Sequence, residues 1–158
     1  MIRGVTYRVP QATTDTLWQM LKCIDVEKYY WYNIRYQEEA YLGTISPREM
    51  LFGAELYDGE SFSQIVRQDH FIIFVKLQAY LSMNISNISN ISTYEDFQQS
   101  DCQMLLLIWD CEWVDIYAKE QYLIDSLYQN ALSNGYTEIK YITDDNDDRT
   151  GMDLTLCQ

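Results

Sequence analysis

The chain has 158 residues, of which 47% are hydrophobic and 15% aromatic, with only 6 Gly and 2 Pro. That much apolar material supports one packed domain and excludes a disordered, collagenous or low-complexity chain. Its 24 acidic and 11 basic side chains give a net charge of −13, which repels phosphate backbones and anionic lipid and so excludes conventional nucleic-acid and membrane-surface binding.

Residues 2–9 (IRGVTYRV) are rich in β-branched and aromatic side chains and end at Pro10, which predicts a first strand. Thr13, Thr14 and Asp15 then offer capping oxygens to a helix whose Leu17, Met20, Leu21 and Ile24 fall on one face. Tyr29 to Ile34 (YYWYNI) predicts a strand with large rings on both faces. Tyr41 to Ile45 is expected to pair with it through the intervening Gln-Glu-Glu turn, and Ser46-Pro47 opens an irregular stretch that ends near Gly53. Asp58-Gly59 is a turn signal, and Phe62, Ile65 and Val66 mark a short helix over 60–68. A long strand follows over 70–81 (HFIIFVKLQAYL).

Residues 84–92 are three copies of Asn-Ile-Ser, too short to stack as a repeat architecture. They predict a flexible or extended loop insert whose Ile residues dock on the domain edge. Ser92 or Thr93 caps a short helix through TYEDFQQ, with Glu95 completing a capping box if Ser92 is the cap. The apolar run in 103–110 (QMLLLIWD) predicts a strand covered on both faces. After a turn at 110–112, Trp113 to Lys119 alternates strictly, with Asp115 on the side of Trp113 and Tyr117. Residues 119–134 form the clearest helix, stopped by Gly135. Residues 136–143 and 152–156 predict final strands around the acidic loop 144–150. The sum is a single α+β domain over 1–158, with a mixed or antiparallel sheet and helices packed mainly on one face.

The charge is uneven. Residues 1–79 carry 8 basic and 10 acidic side chains, residues 80–158 carry 3 and 14, and no Lys or Arg lies between Lys76 and Lys119. One reading is solubility; the other is an acidic face that steers a basic partner protein. The densest acid is Asp144, Asp145, Asp147 and Asp148, with Asp153 close behind. These residues fit a polar hairpin connection, a partner-binding loop or a divalent-cation site. As an EF-hand the loop fails, because Arg149 stands where the turn glycine belongs and Thr155 where the bidentate glutamate belongs. Tyr29, Tyr30, Trp31 and Tyr32 are the alternative candidate, a ligand platform or groove, set against a plain core role.

No phosphate-binding glycine loop and no nucleophile elbow is present. His70 is the single histidine, which excludes a multi-histidine zinc site within the chain. As a base for Cys102 or Cys111, with Asp69 or Asp110 orienting it, His70 is set against an ordinary role at the strand rim. Glu38-Glu39 and Glu95-Asp96 read as solvated surface, since adjacent carboxylates point apart. The N-terminus lacks the apolar stretch of a signal peptide, and the longest apolar run, 104–109, is far short of a bilayer span. The cysteines Cys23, Cys102, Cys111 and Cys157 form no paired motif, and with these observations they predict reduced thiols and a cytoplasmic protein.

The segments DCQMLLLIWD (101–110), VDIYAKE (114–120) and YITDDNDDRTG (141–151) resemble a small family of bacterial domains of unknown function, found in Bacillus-type Gram-positive bacteria. RGVTYRVP (3–10) and Trp31-Tyr32 match as well, while the repeat at 84–92 departs from the pattern. The resemblance implies a cytosolic bacterial single domain and no assigned chemistry. The resulting expectation is a non-enzymatic interaction module whose acidic C-terminal half binds a basic protein, with no metal and no cofactor. The alternative is a small enzyme or ligand-binding domain with a pocket among Tyr29 to Tyr32.

Overall fold

The computed structural model describes residues 1–43 and 49–154. Nine strands form one sheet: β1 (Ile2–Arg8), β2 (Tyr30–Asn33), β3 (Glu39–Leu42), β4 (Glu49–Met50), β5 (Leu56–Tyr57), β6 (His70–Tyr80), β7 (Cys102–Trp109), β8 (Trp113–Ala118) and β9 (Thr137–Thr143). The main order is β4-β3-β6-β7-β8-β1-β9, with β2 on β6 and β5 on β2. Every pairing is antiparallel. Four helices complete the α+β domain: α1 (Thr16–Leu21), α2 (Gly59–Val66), α3 (Tyr94–Gln99) and α4 (Gln121–Ser133).

The apolar run on β7 is explained by its position. Met104, Leu106 and Ile108 join one buried cluster, whereas Leu105 and Leu107 join another, so both faces of this strand are covered. On the first face α1, α2 and α4 bury Leu17, Met20, Phe62, Val66, Leu123 and Leu127 against Val5, Val75 and Ile116. Burying each such aliphatic or aromatic side chain contributes about 1.5–3 kcal/mol. Helix ends are satisfied locally. The Asp58 carboxylate accepts from Ser61 N at 2.8 Å, and Asn130 on α4 and Asn134 at its C-cap donate to the carbonyls that end α1. Gly135, at φ +73°, closes α4 as Gly135 N donates to Leu132 O and Tyr136 N to Ala131 O.

Two sequence expectations are corrected. The strand expected over Tyr41 to Ile45 does not form a hairpin with the one at Tyr29 to Ile34. Instead β2 pairs with residues 77–80 of β6 and β3 with residues 70–74, end to end along one edge. The residues between them make a 3₁₀ excursion at Arg35–Gln37 that keeps the chain direction, and a hairpin needs a reversal. Residues 44–45 of that expected strand, and 46–48 of the irregular stretch, lie outside the described residues. The expected last strand, 152–156, is not a strand in its described part. Met152 N donates to Ser92 O and Leu154 N to the Gln37 side chain, so its backbone bonds go to a loop and a side chain rather than to a ladder. In the repeat at 84–92 the docking expected of its Ile residues is seen at two of them: Ile91 is buried and Ile88 packs beside it on the second face. That face is closed by this segment, by α3 and by residues 151–154. Thr93, not Ser92, caps α3, accepting from Asp96 N at 3.1 Å.

Candidate functional site

The second face carries the polar side chains of the sheet. Alternation sends Lys76 and Gln78 of β6 to the same side as Trp109 of β7, Asp115 and Tyr117 of β8, and Thr6 of β1. A charged side chain on a central strand must be paired once water is gone. Lys76 is 0% exposed, and its Nζ donates to Asn90 Oδ1 at 2.8 Å, to Asp153 Oδ1 at 3.1 Å and to the Ile91 carbonyl. Burial pushes its ammonium below the usual lysine range, against the opposing pull of Asp153. Asp153 accepts also from Asn90 Nδ2 at 2.9 Å and Gln37 Nε2 at 2.8 Å. Partial burial would raise its carboxyl, but the bonds from Asn90, Gln37 and Lys76 outweigh it and hold the pKa down at about 2. Gln78 serves the neighbouring segment, donating to Ser89 O and accepting from Ile91 N. The third Asn-Ile-Ser copy, with Ser89 before it, is therefore held by side chains of β6.

The acidic loop is tied to the first strand. Asp144 accepts from Arg3 Nε at 2.9 Å and lies 3.4 Å from the terminal amine, so its carboxyl is held low chiefly by Arg3. Asp147 accepts from Arg3 Nη1 at 3.0 Å, from the Tyr117 hydroxyl and from Arg149 N. The Arg149 side chain turns away from the loop carboxylates to β8. Its Nε and Nη2 donate to Asp115 Oδ2 at 3.1 and 2.9 Å, and its guanidinium lies 4.7 Å over the Trp109 ring. Between the strand floor and residues 146–153 runs a cleft of about 610 Å³, lined by Thr6, Trp109, Asp115, Lys140, Asp148 and Arg149 among others. Among the described residues, no group of three or more His, Cys, Asp or Glu side chains is arranged to hold a metal ion.

Asp147, Asp148 and Asp153 share that cleft, Asp144 lies beside it on Arg3, and Asp145 is exposed. The four rings at 29–32 do not share a face. Trp31 is buried, stacked on Phe62 at 4.3 Å and donating Nε1–H to Val26 O, and Tyr29 is buried with it. Tyr32 packs on the second face, and none of the four lines the cleft. His70 is used structurally: Nε2 accepts from Leu17 N at the start of α1 and Nδ1 faces Gln68 O at 2.8 Å. Cys23, Cys102 and Cys111 are free thiols; Cys157 lies outside the described residues. Glu95 and Asp96 are exposed. The residues that sequence reading missed are Lys76, Gln78, Trp109 and Arg149. The available signal was a Lys and a Gln inside an otherwise apolar strand.

These features define a class: an acidic antiparallel α+β domain with one helix-covered face and one face closed by hydrogen-bonded irregular segments over a polar cleft. The chain belongs to the family "Protein of unknown function (DUF2691)", whose model matches residues 2–153. It is 33% identical over 153 residues to the Uncharacterized protein YncE of Bacillus subtilis (strain 168), covering 96% of this chain and 99% of that relative. No solved structure matches the chain. Among the described residues, no helix is long and apolar enough to cross a membrane.

Proposed function

We propose that this domain is a non-enzymatic, cytoplasmic binding module that engages a basic surface of another protein through the acidic side of its second half. The observation that carries this reading is the direction of the cations. Arg3 is committed to Asp144 and Asp147, Lys76 to Asp153 and Arg149 to Asp115, while Asp145, Asp148, Glu95 and Asp96 are exposed. Loop and helix are also neighbours. The Arg3 guanidinium that holds Asp144 and Asp147 also lies 4.0 Å over the ring of Tyr94, the first residue of α3. The loop and the first turn of α3, with Glu95 and Asp96, thus meet around one cation. Complementary charge of this kind speeds encounter and selects partners.

A titration against a synthetic peptide of alternating Lys and Gly at low salt tests the reading, with a Glu-Gly peptide as control. The basic peptide should bind, and binding should weaken in the combined variant Glu95→Gln, Asp96→Asn, Asp145→Asn, Asp148→Asn. Equal affinity of wild type and variant for the basic peptide would refute it.

A further inference from the structure

We propose that the cleft on the second face receives an arginine side chain of the basic partner, and that Arg149 holds that place when no partner is bound. The inference rests on the function proposed above. A guanidinium is recognised by a carboxylate that accepts from two of its N–H groups and by an aromatic face on which its plane lies. Both stand in this cleft, and Arg149 uses both, bonded to Asp115 Oδ2 at 2.9 and 3.1 Å and laid over Trp109 at 4.7 Å. The ring and the acid come from adjacent central strands, so the receptor is rigid. The occupant comes from residues 147–154, which form neither helix nor strand.

The charge balance fits an exchange of one arginine for another. Arg3 and Lys76 neutralise Asp147 and Asp153 from outside the cleft. When Arg149 leaves, Asp115 and exposed Asp148 face Lys140, a deficit of one positive charge. The cleft keeps a volume of about 610 Å³ with Arg149 in place, within the usual range of ligand pockets and enough to admit an incoming side chain before the resident one leaves. A lysine gains less there, because a compact ammonium neither stacks on the ring nor makes two bonds in a fixed plane.

The test compares two blocked peptides that differ only in a central Arg or Lys within a Lys-Gly frame, titrated against wild type, Arg149→Ala, Lys140→Ala and Trp109→Leu. Arg149→Ala and Lys140→Ala remove the same charge from the same cleft, but only the first vacates the receptor. The Arg peptide should bind Arg149→Ala at least about tenfold more tightly than wild type, a difference well beyond rim-charge effects. It should bind Lys140→Ala less than about threefold more tightly. The Lys peptide should respond equally and weakly to both variants, and Trp109→Leu should lose the preference for Arg. If Arg149→Ala does not fold, Arg149→Lys serves: with charge unchanged, the Arg peptide should still bind it more tightly than wild type. Equal responses of both peptides to both charge removals, or an Arg149→Lys protein indistinguishable from wild type, would overturn the arginine seat while leaving the acidic-surface reading intact. If neither peptide binds any folded variant at low salt, that reading falls and the seat with it.

Discussion

The Lys76–Asp153 pair yields a prediction that runs against exposure. Asp153 is 40% exposed and Lys76 is fully buried, so intuition assigns the larger loss to removing lysine. The energetics point the other way. In Asp153→Ala the ammonium of Lys76 stays buried with only the Asn90 amide oxygen and the Ile91 carbonyl as partners. An uncompensated buried charge of this kind costs about 3–5 kcal/mol. In Lys76→Met the buried charge disappears with little change in volume, and Asp153 keeps water, Gln37 and Asn90. The chief loss is the unpaired Ile91 carbonyl, worth about 1–3 kcal/mol and partly offset by the apolar side chain. The double variant should therefore resemble Lys76→Met alone. Asp153→Ala also acquires a pH signature. Burial already holds Lys76 below its ordinary value of 10.5, and losing Asp153 lowers it further. Between the folded value and 10.5 the unfolded chain binds more protons, so stability of this variant rises with pH through that window. Urea unfolding followed by tryptophan fluorescence, at neutral pH and at about pH 9.5, measures both effects. An Asp153→Ala loss below about 1 kcal/mol, or one no larger than that of Lys76→Met, would refute the reasoning.

Three further predictions concern the frame around the site. A Cβ at Gly4 would lie 2.0 Å from the Ile116 carbonyl oxygen, so Gly4→Ala must part β1 from β8. It should cost about 3 kcal/mol or more in urea unfolding, and a change within about 0.5 kcal/mol contradicts the close approach. The β7–β8 turn places Asp110 and Cys111 at φ +51° and +67°, the sign that a type I′ turn needs and that L side chains resist. Cys111→Gly should therefore raise stability by about 0.5–1 kcal/mol, and a loss of that size would count against the turn strain. Burial depresses the His70 pKa below 6.5, and the unprotonated Nε2 accepts from Leu17 N. Its contribution is complete above 6.5 and is lost as pH falls towards the folded value, since the unfolded imidazole takes the proton first. His70→Gln, which keeps an acceptor, should flatten the fall in stability between about pH 7.5 and pH 5.5; an unchanged slope excludes His70 as its source.

The regular elements were legible because local pattern and burial agree in them. The apolar run of β7 and the strict alternation of β8 follow from covered faces, and the four-residue spacing of Leu123, Leu127 and Ala131 from one helix stripe. What was misread depended on partners distant in sequence. Residues 41–42 pair with β6 rather than with β2 because β6, at 11 residues, offers one edge long enough for two strands. The Asn-Ile-Ser segment shows its Ile residues in sequence but not its polar partners, since Lys76 and Gln78 claim its third copy and Asp153 arrives from the far end of the chain. The acidic cluster was visible as a composition bias. Its division into carboxylates held by Arg3, Lys76 and Arg149 and the remaining exposed ones was not, because the cations lie up to 144 residues away. The rings at 29–32 show the opposite case, in which a conspicuous run is split between two faces by strand alternation.

If the exposed carboxylates steer a basic protein surface, the association rate must depend on salt. The on-rate of a fluorescent Lys-Gly peptide should be measured by stopped flow at about 20 mM and about 300 mM salt, across which the Debye length shrinks severalfold. The wild-type rate should fall about tenfold or more. The variant neutral at Glu95, Asp96, Asp145 and Asp148 should give a nearly flat response. A wild-type rate that is equally fast at both salt concentrations would contradict steering by these carboxylates.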